Sequence, residues 1–208
     1  IIIGGPPCQG FSIANKQNGD PKDPRNSLFK HFVRFGRIFN PDYMVMENVP
    51  NLIKAKTMSG ERVLDIIVAE LENLDYFVYH SILSAVDFGV PQIRRRLFVV
   101  APKTEMVNPF PSPTHTTEKS DLFKQDLKLT PTLWDAISDL PVLEAREGSE
   151  EMEYTNEPQN AFQVELKNGS SKVYNHKAMN HSKRMVERFK SMTSGQSVSD
   201  VPEHLKPY

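Results

Sequence analysis

Three short segments of this 208-residue chain carry side chains able to do covalent or electrostatic chemistry. The first is Gly-Pro-Pro-Cys-Gln-Gly-Phe-Ser at 5–12, which holds the single cysteine; the second is Glu-Asn-Val at 47–49; the third is Gln-Ile-Arg-Arg-Arg at 92–96. A thiol attacks as its thiolate, and a free thiol is mostly protonated at neutral pH, so Cys8 needs cations or dipoles nearby to react. Arg94 and Arg96 are suitable donors if folding brings them close. Alternation along an extended segment lets these two point the same way while Arg95 points elsewhere. Glu47 ends an otherwise apolar run, where a carboxylate needs either a partner or a purpose. Each feature also has a plain structural explanation: a buried small hydrophobe, a capping or salt-bridged carboxylate, and a basic edge strand.

The elements that must position these groups follow from hydrophobic periodicity. Ile1 to Gly5 reads as a buried parallel strand ending in Gly4, Gly5, Pro6 and Pro7, a turn where backbone can approach a ligand closely. After a polar loop at 15–26, Leu28, Phe29, Phe32, Val33, Phe35, Ile38 and Phe39 recur at helical spacing, predicting a helix from about Ser27 to Phe39 that stops before Pro41. Tyr43 to Glu47 reads as a strand, Gly60 to Asn73 as a helix, and Tyr76 to Leu83 and Leu97 to Ala101 as further strands. Strands alternating with helices predict an α/β domain with a largely parallel sheet covered on both faces. The three chemical segments then stand at strand ends, where open α/β sheets place their sites.

After Pro102 the texture changes. Prolines at 109, 111 and 113 interrupt regular structure, Thr132 to Asp139 is helix-like, and Glu144 to Glu157 reads as an acidic, apolar-poor loop. Residues 167–190 are basic, with Lys167, Lys172, Lys177, Lys183, Arg184, Arg188 and Lys190 against Glu187; a run of this kind is commonly a solvated face. The expected division is 1–103 and 104–208. The net charge of -1 is no global sign of a nucleic-acid partner, since phosphate binding depends on local basic surface. No apolar run suits a membrane span and no stretch has signal-peptide order, which predicts a soluble intracellular protein. One cysteine excludes an internal disulfide and a cysteine zinc cluster. The apolar opening at Ile1 to Ile3 and the polar ending at Tyr208 read as an internal piece of a longer protein.

Taken in this order and on these elements, the three segments resemble the DNA cytosine-5 methyltransferase family of bacterial type. The resemblance covers residues 1 to about 101, including Asp23 to Phe29 and Asp87 to Pro91, and extends less firmly into Trp134 to Pro141. Pro-Cys-Gln is similar to the family's nucleophile loop, Glu-Asn-Val to its base-binding glutamate motif, and Gln-x-Arg-x-Arg to its arginine motif. It implies a partial Rossmann-like fold dependent on S-adenosylmethionine, with an irregular smaller C-terminal region that is part of target recognition. It further implies that the Cys8 thiolate adds to C6 of a flipped cytosine, splitting one hard step into two easier ones. Glu47 then protonates or hydrogen-bonds N3 and the exocyclic amine, and Arg94 and Arg96 grip O2 of the base, phosphate and the active-site loop through forked donors. Gln9 and Ser12 fall on phosphates, Gln92 and Asn48 on the base side, with Asn48 fixing the loop more than doing chemistry. Pro7 and Leu28 are the contacts left from the cofactor pocket, and no metal is implied.

Double-stranded DNA is the implied partner, in a bacterial cytoplasmic, nucleoid-associated enzyme of restriction-modification type. Most of the family's S-adenosylmethionine site falls outside this sequence, so the isolated chain is expected to bind the cofactor poorly, as a fragment or as one subunit beside a complementary chain. Asn175, His176, His181, Lys183 and Arg184 are candidates for reading DNA, the histidines being equally ordinary surface residues. A tRNA methyltransferase of the same family and a catalytically silent DNA-binding fragment stay open as alternatives; a thiol hydrolase would need a histidine tied to Cys8.

Overall fold

The computed structural model describes residues 1–7, 28–57, 59–117 and 126–207. Residues Ile1–Thr130 and Pro131–Tyr208 form two compact units. In the first, β1 (Ile2–Gly4), α1 (Phe29–Phe39), β2 (Tyr43–Asn48), α2 (Val63–Glu72), β3 (Tyr79–Ser84) and β4 (Arg95–Pro102) build a four-stranded sheet in the order β1-β2-β4-β3.

The helices form because their apolar residues share one face. In α1 these are Phe29, Phe32, Val33 and Gly36, and in α2 Val63, Leu64, Ile67 and Leu71. They pack on Met44, Met46, Leu97, Val99 and Ala101, alternate residues of β2 and β4. Burying each large side chain of this set contributes about 1.5–3 kcal/mol. Helix α1 ends at Asn40, whose φ of 41° turns the chain left-handed while its N–H donates to the Gly36 carbonyl at 2.8 Å. Gly36 lets α1 pack closely on β2, with the Met44 thioether filling the place a Cβ would take. Tyr76, expected in a strand, instead anchors the approach to β3: it is buried and its hydroxyl donates to the Pro41 carbonyl at 2.6 Å.

The expected largely parallel sheet is corrected to a mixed one. β1 and β2 are parallel, but β4 runs antiparallel to both β2 and β3 and lies between them. Residues 85–94 are too short a connection for the helical crossover that a parallel neighbour requires, roughly a dozen residues or more. The chain therefore reverses through a 3-10 turn at Ala85–Phe88 and a left-handed Gly89 (φ 83°).

A short parallel ladder, β5 (His115–Thr116) with β6 (Lys128–Leu129), belongs to the same unit. Thr114 N–H donates to Asp87 O at 2.9 Å, and the Thr130 hydroxyl to Val86 O at 2.7 Å. These bonds to the β3–β4 turn carry the first compact unit past the sequence-based division at 103/104.

The second unit is more regular than its composition suggests. It contains α3 (Leu133–Ile137), β7 (Gly148–Glu153), α4 (Ala161–Lys167), β8 (Lys172–Lys177) and α5 (Lys183–Lys190). Helix α3 opens with a reciprocal capping box in which Thr132 and Asp135 satisfy each other's backbone N–H. The acidic stretch 144–157, expected to be a loop, holds strand β7, which pairs antiparallel with β8. Cross-strand charge explains why acidic residues tolerate a strand here: Lys172 pairs with Glu151 and Lys177 lies 3.9 Å from Glu150.

Candidate active site

The carboxylate Glu47 stands near the C-terminal end of β2, on the face opposite buried Met44, Met46 and Asn48. On β4, Arg96 faces the same way, because Glu47 pairs with Phe98 and the side-chain period is two. The Arg96 Nε lies 2.8 Å from Glu47 Oε1, with side chains 25% and 36% exposed. Arg94, from the turn just before β4, brings a terminal nitrogen to 3.5 Å from the same oxygen. Arg96 is steadied by a second bond, from its terminal nitrogen to the Arg95 carbonyl at 2.8 Å. Two guanidinium groups thus converge on one carboxylate oxygen. Among the described residues the other oxygen, Oε2, has no hydrogen-bond partner and faces Gly5, where a Cβ would lie 3.5 Å from it.

Asn48 points to the opposite, buried face of β2, at 4% exposure. Its Nδ2 donates to the Pro6 carbonyl at 3.1 Å and its Oδ1 accepts from the Val49 N–H at 2.8 Å. The glutamate strand and the loop entering Pro7 are thereby locked side by side, parallel to one another. Sequence reasoning did not single out Gly5 and the Pro6 carbonyl as neighbours of Glu47 and Asn48. The glycine-proline run was the available signal, but only the β1–β2 register shows which residues of the second motif it meets.

Cys8, Gln9 and Ser12 lie outside the described residues. Pro7 is exposed and Leu28 half-buried at the entry to α1. Gln92 is exposed on the turn preceding Arg94, with its backbone N–H donated to Val90 O at 2.7 Å. Among the described residues no group of three or more His, Cys, Asp or Glu could hold a metal ion. No helix of the described residues is long and apolar enough to cross a membrane.

In the second unit, several residues named from the sequence as DNA contacts serve the protein's own fold. His176 Nε2 donates to the Pro141 carbonyl at 2.7 Å, and the His181 ring meets Phe189 edge-on at 5.1 Å between centroids. Arg184 donates to the carbonyls of His204 and Lys206 at 3.0 and 2.8 Å, while Asn175 and Lys183 are exposed. Asn175 has a left-handed backbone, φ 56°.

A carboxylate aligned by two arginines beside a glycine-proline loop suits recognition of a planar, polar heterocycle: Oε2 offers an acceptor and, protonated, a donor, and the guanidinium forks offer further donors. Comparison with known proteins gives the same direction. Residues 1–206 match the family model described as C-5 cytosine-specific DNA methylase. The chain is 46% identical over 202 residues to the type II methyltransferase M.DdeI of Desulfomicrobium norvegicum, covering 97% of this chain and 47% of that protein. It is 36% identical over 208 residues to the type II methyltransferase M1.HphI of Haemophilus parahaemolyticus, covering 100% of this chain and 46% of the relative. A solved structure described as a prophage-encoded DNA modification methyltransferase (E. coli) superimposes with a TM-score of 0.63 at 25% identity, over 94% of this chain and 56% of that one. The chain therefore spans about half the length of the curated relatives it matches. With residues 1–206 in the family and Glu47, Arg94 and Arg96 gathered at one strand end, this chain belongs to the C-5 cytosine-specific DNA methylases.

Proposed function

We propose that the protein containing this chain methylates C5 of cytosine in double-stranded DNA, as an enzyme of a bacterial restriction-modification system in the cytoplasm. The observation that carries this reading is the convergence of Arg94 and Arg96 on Oε1 of Glu47, which leaves Oε2 directed toward the glycine-proline loop that runs into Cys8. The target carbons lie inside the duplex stack, so the base is extruded at a cost of roughly a few kcal/mol. Glu47 then binds N3 and the exocyclic amine of the extruded base, Arg94 and Arg96 hold the carboxylate and reach O2, and the Cys8 thiolate forms a bond to C6. Glu47 at N3 draws electrons away from C6 as the thiolate adds there, and the sulfur–C6 bond makes C5 an enamine-like carbon able to take a methyl group. After methylation a base takes the C5 proton, the C5=C6 double bond reforms, and the C6–sulfur bond breaks to return Cys8 as its thiolate. Gln9, Ser12 and Gln92 serve phosphate and base contacts from the loop and the turn.

S-adenosylmethionine, when bound, supplies the electrophilic methyl group. Pro7, just after β1, and Leu28, at the entry to α1, fit it only in part, as apolar side chains; neither can bind its ribose hydroxyls through a side chain. The isolated chain accordingly binds it weakly, and the remaining contacts come from elsewhere in the protein or from a complementary chain.

The test uses the full-length protein with duplex DNA containing 5-fluorocytosine and S-adenosylmethionine, followed by mass mapping of the adduct. The reading expects a covalent complex at Cys8 that disappears in Cys8→Ser. Methylation of tRNA in preference to duplex DNA, or salt-sensitive DNA binding without any adduct, would sink it.

A further inference from the structure

The turn that delivers Arg94 to Glu47 is not held by the sheet alone. Within the turn, Ala85 N–H donates to Arg94 O at 2.9 Å, Val90 N–H to Ala85 O at 3.2 Å, and Gly89 N–H to Val86 O at 3.3 Å. Outside it, the β5–β6 ladder and its flanks grip the turn at three points. Thr130 holds the Val86 carbonyl and the Thr114 N–H holds the Asp87 carbonyl. The third contact is steric. A Cβ built on Gly89 would lie 2.8, 2.9 and 3.0 Å from Cε1, Nε2 and Nδ1 of His115. Three ring atoms at nearly equal distance mean that the imidazole covers the Gly89 Cα with its face. The ring is itself fixed by a 2.8 Å hydrogen bond between its Nδ1 and the Thr114 hydroxyl.

Gly89 is the residue of this turn with the widest backbone freedom, and it sits at φ 83°. A flat ring against its Cα removes that freedom on one side. Without the ring, the segment from Gly89 to Arg94 can take other backbone conformations, and the Arg94 side chain, 48% exposed, is held among the described residues by its 3.5 Å contact with Glu47. None of Thr114, His115 and Thr130 belongs to the three chemical segments, and none approaches Glu47 in the described contacts.

We propose that His115 is a positioning residue for the methylation site: its ring walls Gly89, with Thr130 as second support, so that Arg94 meets Glu47 in one orientation. This rests on the function proposed above, through Arg94 alone. The histidine acts as a plate and not as an acid or base, so another flat ring serves in its place.

The experiment measures single-turnover methylation of duplex DNA by the full-length protein and by His115→Ala, His115→Phe, Arg94→Ala and the Arg94→Ala/His115→Ala double variant. Amide hydrogen exchange at residues 85–94 is followed in parallel. His115→Ala lowers the rate roughly tenfold in an otherwise native protein but adds nothing to Arg94→Ala, since both act through one guanidinium. His115→Phe stays within about twofold of the native rate, the plate being kept. Exchange at Ala85, Gly89 and Val90 quickens in the alanine variant, while that of β2 is unchanged. Additive losses in the double variant, an unchanged rate in His115→Ala, or a phenylalanine variant as slow as the alanine one overturns the proposal. If the native protein transfers no methyl group, the functional reading falls by itself, and unaltered exchange at 85–94 in His115→Ala is then what refutes the plate.

Discussion

Arg96 donates its Nε to Glu47 from a neighbouring antiparallel strand at 2.8 Å, closer and better shielded than Arg94, which reaches the same oxygen at 3.5 Å from a turn. Strand and turn have different freedom, so the two arginines are not equivalent supports. Arg96→Ala is expected to slow methyl transfer by about 10²-fold, as loss of a preorganised donor does, and Arg94→Ala by roughly tenfold. Arg96→Lys does not restore the rate, because an ammonium has no planar fork to align the carboxylate. Single-turnover kinetics on duplex DNA decide this; equal losses for the two alanine variants would remove the distinction between strand and turn.

Glu47→Gln tests whether the carboxylate acts on the base or only on the arginines. The amide keeps the shape and loses the transferable proton and the charge, so the methylation rate should fall by about 10²–10⁴ while DNA affinity stays nearly unchanged. An equal loss of binding and rate would mean that Glu47 is a structural partner of Arg96.

Asn48 is buried with both ends of its amide bonded to backbone, to Pro6 O and Val49 N. Asn48→Ala leaves a buried carbonyl and N–H without these partners, and is expected to cost about 1–3 kcal/mol in urea unfolding of the full-length protein. Asn48→Asp should be no better, because a carboxylate meets the Pro6 carbonyl with no proton to donate.

Gly89→Ala suffers twice, from φ 83° and from the His115 ring. A loss of about 1–3 kcal/mol is expected by denaturation. Removing the ring in Gly89→Ala/His115→Ala recovers only the steric part. Full recovery would show that the backbone conformation is not costly for alanine there.

Asp135 accepts hydrogen bonds from the Thr132 side chain and then from its backbone, which hold its carboxyl below the ordinary aspartate value. A depressed folded value means the cap stabilises fully above the unfolded pKa of about 3.9 and is lost as pH falls through the folded one. Protection of the Leu133–Ile137 amides, taken relative to their intrinsic exchange rate at each pH, should therefore fall on acidification in this window, and Asp135→Asn should abolish that dependence. A variant with the same acid response would assign it to another carboxylate.

Much of the first unit was legible because its signals are local. The i, i+3, i+4 pattern of Phe29, Phe32 and Val33 marks α1, and the Gln-x-Arg-x-Arg spacing that runs into β4 signals that Arg94, on the turn, and Arg96, on the strand, act together. What stayed hidden depends on contacts distant in sequence. The insertion of β4 between β2 and β3 is fixed by a turn too short to cross over, and the partners of Asn48 by the β1–β2 register. Strand β7 was missed because Glu150, Glu151 and Glu153 read as solvent-loving, and only the lysines of β8, far along the chain, make them compatible with a ladder. The imidazole on Gly89 leaves no pattern at all in the order of residues.

The lysines of β8 also bear on thermodynamics in salt. Lys172 is held protonated above its ordinary range, first by its hydrogen bond to Glu151 and then by that residue's charge, and Lys177 and Lys167 have Glu150 and Glu157 at 3.9 Å. A lysine that already carries a counter-anion from its own polypeptide has little left to exchange for a phosphate and displaces few condensed cations from a duplex. The basic run 167–190, counted residue by residue, thus overstates the number of ions that the proposed binding to DNA would set free, and a plot of log affinity against log salt should be correspondingly shallow.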